Sequence, residues 1–185
     1  MRERMLAGEL YLADDPQLAA DDARAQGLTH RINTTDPTDH ETLRALLTEL
    51  LGGFGEGAAI RPPLRCDYGY QTTFGARSFA NWGLVCNDVA TISIGEDVQI
   101  GPGVHLLTST HPLEPGPRRD KWEAAKPIVI GDNVWLGGGV IVCPGVTIGA
   151  DTVVGAGSVV VRDLPAGVLA VGSPARVVRR LDEQA

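Results

Sequence analysis

The chain has 185 residues, with 16 Lys and Arg against 23 Asp and Glu, a net charge of -7 and 43% hydrophobic content, which suits one folded domain with an appendage. The acidic balance and the lack of a long basic patch argue against a nucleic-acid partner, and no apolar run of about 18 residues offers a membrane span. Charges at Arg2, Glu3 and Arg4 break the apolar core a secretory signal needs, and three cysteines at unrelated spacings suit a reducing compartment, so a cytoplasmic location is expected.

In chain order, residues 1–58 read as a helical domain. Asp15 before Pro16 is a helix cap with proline in the first turn, and that helix is expected to run to about Ile32. Thr38 with Glu41 three residues later forms a capping box for a second helix. Leu43, Leu46, Leu47, Leu50 and Leu51 line its apolar face until Gly52 and Gly53 stop it.

From 59 to 163 the periodicity changes. Ile94, Ile100, Ile130, Leu136, Val142, Ile148 and Val154 recur at multiples of six, each followed by Gly or, after Val142, by Cys143. One inward branched residue per hexapeptide, with a small residue turning the corner, is the signature of a parallel β-helix, whereas an α-helical face needs spacings of three and four. The first coils are degenerate: Phe74-Gly75 sits two residues out of phase with Ile94, a slip that a small insertion near residues 85 to 91 accounts for. Trp135 takes an outward slot beside inward Leu136. The coils break once, at 108–127, where prolines and charges force a loop out of the prism, and protruding loops on rigid scaffolds tend to carry function. In the remaining 164–185, GSPARVVRRL reads as a Gly-Pro turn into a short C-terminal helix.

Among the four histidines, His30 and His40 fall in the helical segment, where surface or capping roles suffice, and His105 should point away from the prism. His111 opens the long loop beside Pro112. An imidazole with an unperturbed pKa of about 6.5 is matched to taking a hydroxyl proton at neutral pH.

The run Thr108-Ser109-Thr110-His111-Pro112 resembles the catalytic histidine segment of the maltose and galactoside O-acetyltransferases, within the hexapeptide-repeat acyltransferase superfamily. MLAGELY at 5–11, RCDYGY at 65–70, FANWGLVCND at 79–88 and IGDNVWLGG at 130–138 resemble further motifs of that family in the same order. Asp67 in CDYGY and Asp88 followed by Val89 bring the maltose branch nearest. The resemblance implies an all-β left-handed parallel β-helix, a homotrimer with active sites between subunits, and direct transfer of acetyl from acetyl-CoA to a sugar hydroxyl with no metal required. It makes His111 the general base and Asn81 a residue that bonds the acceptor and the catalytic region. Asp67 is implied to accept from sugar hydroxyls, and Asp88 to orient the imidazole or bind a hydroxyl. Asp14 is a further acceptor residue, exchangeable with Asp15 or Ala13 by a one-residue gap, and Glu123 shapes acceptor preference.

For the coenzyme, the same resemblance lays Trp135 along acetyl-CoA, with Gly138 and Ala156 as small corners where its arm approaches the backbone. The Gly138 amide becomes the oxyanion donor. Arg162, Arg176 and Arg179 supply cations for the phosphates. Relatives often carry serine at the Gly138 slot and threonine then lysine at positions 161 and 162, so here a side-chain contact is lost while the cation is kept. Three other readings compete. A γ-class carbonic anhydrase needs three converging histidines, and the repeat region has only His105 and His111. A non-catalytic trimeric scaffold would need none of the loop motifs, and an acyltransferase acting on an oligosaccharide or an antibiotic would share most of them. MLAGELY favours the sugar branch.

Overall fold

In the computed structural model, which describes residues 1–181, the hexapeptides stack into a three-sided parallel β-solenoid. The first sheet is built from Gly53–Phe54, Thr72–Phe74, Ile92–Ile94, Ile128–Ile130 and Thr147–Ile148. The second contains Ala59–Ile60, Phe79–Ala80, Gln99–Ile100, Trp135–Leu136, Val153–Val154 and Val168–Gly172. Leu64–Cys66, Leu84–Asn87, His105–Leu107, Ile141–Val142 and Val159–Val160 form the third. Residues one turn apart face each other in register, so Phe74, Ile94, Ile130 and Ile148 form one buried inward ladder and Ala80, Ile100, Leu136 and Val154 another. Phe74 pairs with Ile94 at a twenty-residue turn while Ile130 pairs with Ile148 at an eighteen-residue one. The two extra residues lie in the Asn87–Thr91 corner, as the slip in phase implied.

The small residue after each inward position is forced by the next turn of chain. A Cβ on Gly75 would lie 2.1 Å from the Gly95 carbonyl oxygen, and one on Gly101 would lie 2.5 Å from the Gly138 nitrogen. Most corners also turn on one left-handed residue. Between the first and second sheets Gly57, Arg77, Asp97, Asn133 and Asp151 take it, whereas between the second and third sheets, past the cis Pro62-Pro63 corner, it is glycine at Gly83, Gly103, Gly139 and Gly157. At each of those four stacked corners the left-handed position carries no side chain, which leaves the backbone there open to a ligand.

At the amino-terminal end, α1 (Arg2–Leu6), α2 (Pro16–Thr34) and α3 (His40–Leu50) precede the prism. Asp15 caps α2 by accepting from the Gln17 amide at 2.8 Å, as the Asp-Pro pair implied, and the helix continues two residues past Ile32. The expected capping box is not formed. Asp39 caps α3 instead, accepting from the Thr42 amide at 3.0 Å, because Thr38 is held by Asp36 in the preceding turn. Leu28, Ile32, Leu43, Leu46, Leu47 and Leu50 plug the open end of the prism and share its core. Asn33 both donates to the Leu64 carbonyl and accepts from the Leu64 amide, so α2 pairs with strand groups that have no neighbouring turn. The solenoid begins at Gly53, six residues before the expected boundary at 59.

The far end corrects the sequence reading. Ala175–Arg180 is a strand, not a helix, and runs antiparallel to Val168–Gly172. The last strand of the second sheet would otherwise leave a free edge, and Val177 and Val178 are better strand formers than helix formers. The final four positions of the tail lie outside the described residues. Among the described residues no helix is long and apolar enough to cross a membrane.

Candidate active site

The structure divides the sequence-predicted residues between two edges of one prism. His111 leaves the edge between the third and first sheets on the loop 108–127. That loop has a fold of its own: Ser109–Thr110 pairs antiparallel with Ala124–Ala125, and α4 (Pro115–Arg119) caps its tip. The loop is clamped by the amino-terminal segment. Tyr11 exchanges two backbone hydrogen bonds with Glu123 at 2.9 and 3.0 Å, and its hydroxyl donates to the Glu123 carboxylate at 2.8 Å. Burial first, then Glu123, pushes the Tyr11 hydroxyl up, so it stays a donor. The guanidinium of Arg4 lies 5.7 Å from the Trp122 ring centroid, adding a cation–π contact. MLAGELY thus holds the loop, a role its sequence did not reveal.

The His111 side chain is exposed, with Nδ1 3.3 Å from the Trp122 carbonyl oxygen. A carbonyl only accepts, so Nδ1 carries the proton and Nε2 keeps its lone pair free for a substrate. Asn87, which sequence reasoning passed over, ties this edge together. Its amide donates to the Asp67 carboxylate, and its side-chain oxygen accepts from the amide and hydroxyl of Ser109, two residues before His111. Burial pushes the Asp67 carboxyl up, opposed by the Asn87 hydrogen bond. Among the described residues, Asp67 keeps one carboxylate oxygen without a donor. Asp14 is exposed and lines a groove of about 230 Å³ with Lys121 and Glu123. Asp15 is committed to its helix cap and to the terminal ammonium at 2.9 Å, which holds it down at about 2.

Asp88 departs from expectation. Its side chain is fully buried, and it accepts from the amides of Asp67 and Tyr68 at 3.0 and 2.9 Å and from the Thr72 hydroxyl at 3.1 Å. It shapes the 67–72 turn and touches neither the imidazole nor open space. Burial outweighs those donors and pushes its carboxyl up to about 6. A folded pKa above the ordinary carboxylate value of 3.8 means the native state holds the extra proton between the two, so this group's stabilisation is complete below 3.8 and lost as pH rises through 6. Against an Asp88→Asn control, wild type should lose on the order of 2–3 kcal/mol between about pH 4 and about pH 7 in urea unfolding; a difference independent of pH would show that Asp88 stays ionised.

Asn81 lies on the other edge, between the second and third sheets. It lines a groove of about 180 Å³ with Phe79, Gln99, Gly101 and Trp135. Trp135 is 55% exposed and stands in register with Val153, Leu169 and Arg179. A bulge between Leu169 and Ala170 lets Arg176 pair with Val171 and Arg179 with Leu169, so both guanidinium groups fall on the same outward face as Trp135. Without it, residues three apart in a strand would face opposite ways. Gly138 and Ala156 follow one another on stacked corners, linked by the Gly157 amide donating to the Gly138 carbonyl at 2.9 Å. Neither of their own amides has a protein acceptor among the described residues. Arg162 sits apart, on the loop edge beyond Val159–Val160.

Comparison with known proteins is consistent from end to end. Residues 4–55 match the maltose acetyltransferase hexapeptide capping motif, and 127–162 match the bacterial transferase hexapeptide family of six repeats. The galactoside O-acetyltransferase of Escherichia coli K12 is 36% identical over 184 residues, covering 100% of this chain and 91% of its own. The chain belongs to the maltose and galactoside O-acetyltransferase family. A maltose O-acetyltransferase structure from Clostridium difficile 630 superposes on the enzyme with a TM-score of 0.97 at 40% identity, over 98% and 97% of the two chains. A hexapeptide-repeat acetyltransferase from Vibrio cholerae O1 biovar eltor, solved with acetyl coenzyme A, gives 0.92 at 39% identity, covering 98% of each. Nodulation protein L of Rhizobium meliloti is 47% identical over 176 residues, covering 95% of the enzyme and 96% of its own chain.

Proposed function

We propose that the enzyme transfers acetyl directly from acetyl-CoA to a saccharide hydroxyl in the cytoplasm, as a homotrimer whose sites lie between neighbouring subunits. The observation that carries this reading is the split of one chain's site over two edges that flank a single face. That face is the third sheet, whose outward residues include Val85, His105, Leu107, Ile141 and Val159, all half-buried although they point away from the core. The first sheet instead turns Thr73, Ser93, Val129 and Thr147 outward, mostly hydroxyl side chains. A closed threefold ring with the apolar face toward its axis brings the loop edge of one subunit against the groove edge of the next. His111, Asp67, Asp14 and Glu123 then meet Asn81, Trp135 and Gly138 of the neighbour, and Arg162 joins Arg176 and Arg179.

Within such a site Nε2 of His111 takes the proton of the acceptor hydroxyl as its oxygen attacks the thioester carbonyl. The free amide of Gly138 receives the charge that develops on the carbonyl oxygen, and the imidazolium returns its proton to the departing thiolate. Trp135 offers a flat surface to the coenzyme, the Ala156 amide a donor to its arm, and Arg176 and Arg179 charge to its phosphates. A covalent cysteine intermediate fits poorly. Burial pushes the Cys66 thiol up to about 12 and the fully buried Cys86 well above its ordinary value, which removes the nucleophilic thiolate. An acceptor panel with acetyl-CoA, read as free thiol release, tests the function. Thiol release that no sugar stimulates would refute it.

The coenzyme track makes its own prediction. Arg179→Glu should raise the Kd for acetyl-CoA about tenfold or more at low salt, and the effect should shrink as salt screens an exposed charge. Sugar binding should change little, since Arg179 lies three strands from Trp135 along the sheet. Unchanged coenzyme affinity by calorimetry would put the coenzyme elsewhere.

A further inference from the structure

We propose that the acceptor groove continues past Phe79 into a second subsite, built from Trp82, Arg61 and Pro62, which binds a further sugar ring and makes the enzyme's acceptors oligosaccharides rather than monosaccharides. The inference rests on the acetyltransfer reading above and deepens it.

Four observations converge on this surface. Phe79 is a shared wall: it lines the small groove with Asn81 and Trp135, and it also lines a neighbouring groove of about 570 Å³ with Arg61, Pro62, Trp82 and His40. That size falls within the range of about 300–1,000 Å³ typical of small-molecule sites. Trp82 is 52% exposed on the groove, and its backbone amide donates at 3.0 Å to the side-chain oxygen of Asn81, so the acceptor residue and the indole are fixed to one another. The Arg61 guanidinium lies 5.9 Å from the Phe79 ring centroid and 5.8 Å from that of Trp82. It has no hydrogen-bond or ion-pair partner among the described residues, so its donors are held in place by two rings and left unused.

This combination matches the chemistry of a pyranose. The ring presents a face of C–H groups, which stacks on an indole, and an edge of hydroxyls, which accept from a guanidinium. The register adds direction. Ala59, Phe79, Gln99 and Trp135 follow one another across four adjacent strands, so the second subsite lies on the amino-terminal side of the acceptor groove, on the side away from Arg179. A chain of sugar rings can occupy it without crossing the coenzyme track.

Acceptor length provides the test. With acetyl-CoA, wild type should show a kcat/KM for maltose or maltotetraose about tenfold or more above that for glucose, the increment expected of one well-stacked aromatic contact. Trp82→Ala should remove most of that preference, Trp82→Phe should retain it, and Arg61→Ala should reduce it. Near-ultraviolet circular dichroism and sedimentation of each variant check that fold and assembly persist. Transfer that is equally fast to all lengths, or a length preference that survives Trp82→Ala, overturns the subsite while leaving acetyl transfer to sugars intact. A Trp82→Ala enzyme that dissociates would assign the surface to a second copy of the chain and equally overturn it. Failure of wild type to acetylate any sugar would instead bring down the acetyltransfer reading itself.

Discussion

His111→Ala should keep the fold and the assembly and lower turnover by about two to four orders of magnitude, the usual contribution of a general base. The side chain is exposed at the opening of a loop whose shape is set elsewhere: Asn87 anchors Ser109 on one side, and Tyr11 grips Glu123 on the other. Its removal therefore costs little packing. The loss should fall on kcat far more than on the KM for acetyl-CoA, because the proposed coenzyme track of Trp135, Arg176 and Arg179 lies on a different edge. Steady-state kinetics with both substrates varied separate these effects. Near-normal turnover in a folded variant would remove His111 from the chemistry.

Subunit mixing should give the second large effect. His111→Ala and Asn81→Ala homotrimers should each be nearly inactive, yet trimers reassembled from an equal mixture should recover about a quarter of the wild-type sites. The recovery arises because a site taking His111 from one chain and Asn81 from the next is intact whenever an Asn81→Ala chain precedes a His111→Ala chain. Placing a charge on the apolar face, as in Ile141→Asp, should dissociate the ring and abolish activity, since each prism alone would have half a site. Activity after gel filtration as a monomer, or mixing without recovery, would show that one chain holds the whole centre.

Much of this was legible in the sequence because a hexapeptide period leaves few geometric options. An inward branched residue every sixth position, with glycine where the next turn passes within van der Waals contact, specifies the prism, the stacking order and the outward setting of Trp135. The excursion at 108–127 was equally plain, since prolines and charges cannot continue an apolar interior. Local signals failed where tertiary contacts competed with them. Thr38 and Glu41 satisfied a capping pattern, yet Asp36 had already taken the Thr38 amide and Asp39 was left to cap α3. ARVVRR carries no periodicity that separates strand from helix, and only the exposed edge of Val168–Gly172 decided the matter.

The site shows the same division. Motif order along the chain named His111, Asn81, Asp67 and Trp135, because each stands within a short run whose neighbours are also distinctive. What those residues touch depends on turns of chain brought together from positions twenty or more residues apart. Only the folded chain buries Asp88 beneath the 67–72 turn, threads Asn87 between Asp67 and Ser109, and uses one bulged residue to swing Arg176 and Arg179 to the same side. The sequence by itself determined the prism and its candidate residues, since a repeating steric constraint is written locally at every sixth position. Which of those residues share an edge, and which are spent on holding the others, was decided by the tertiary structure, because hydrogen-bond partners and strand register are set by neighbours in space.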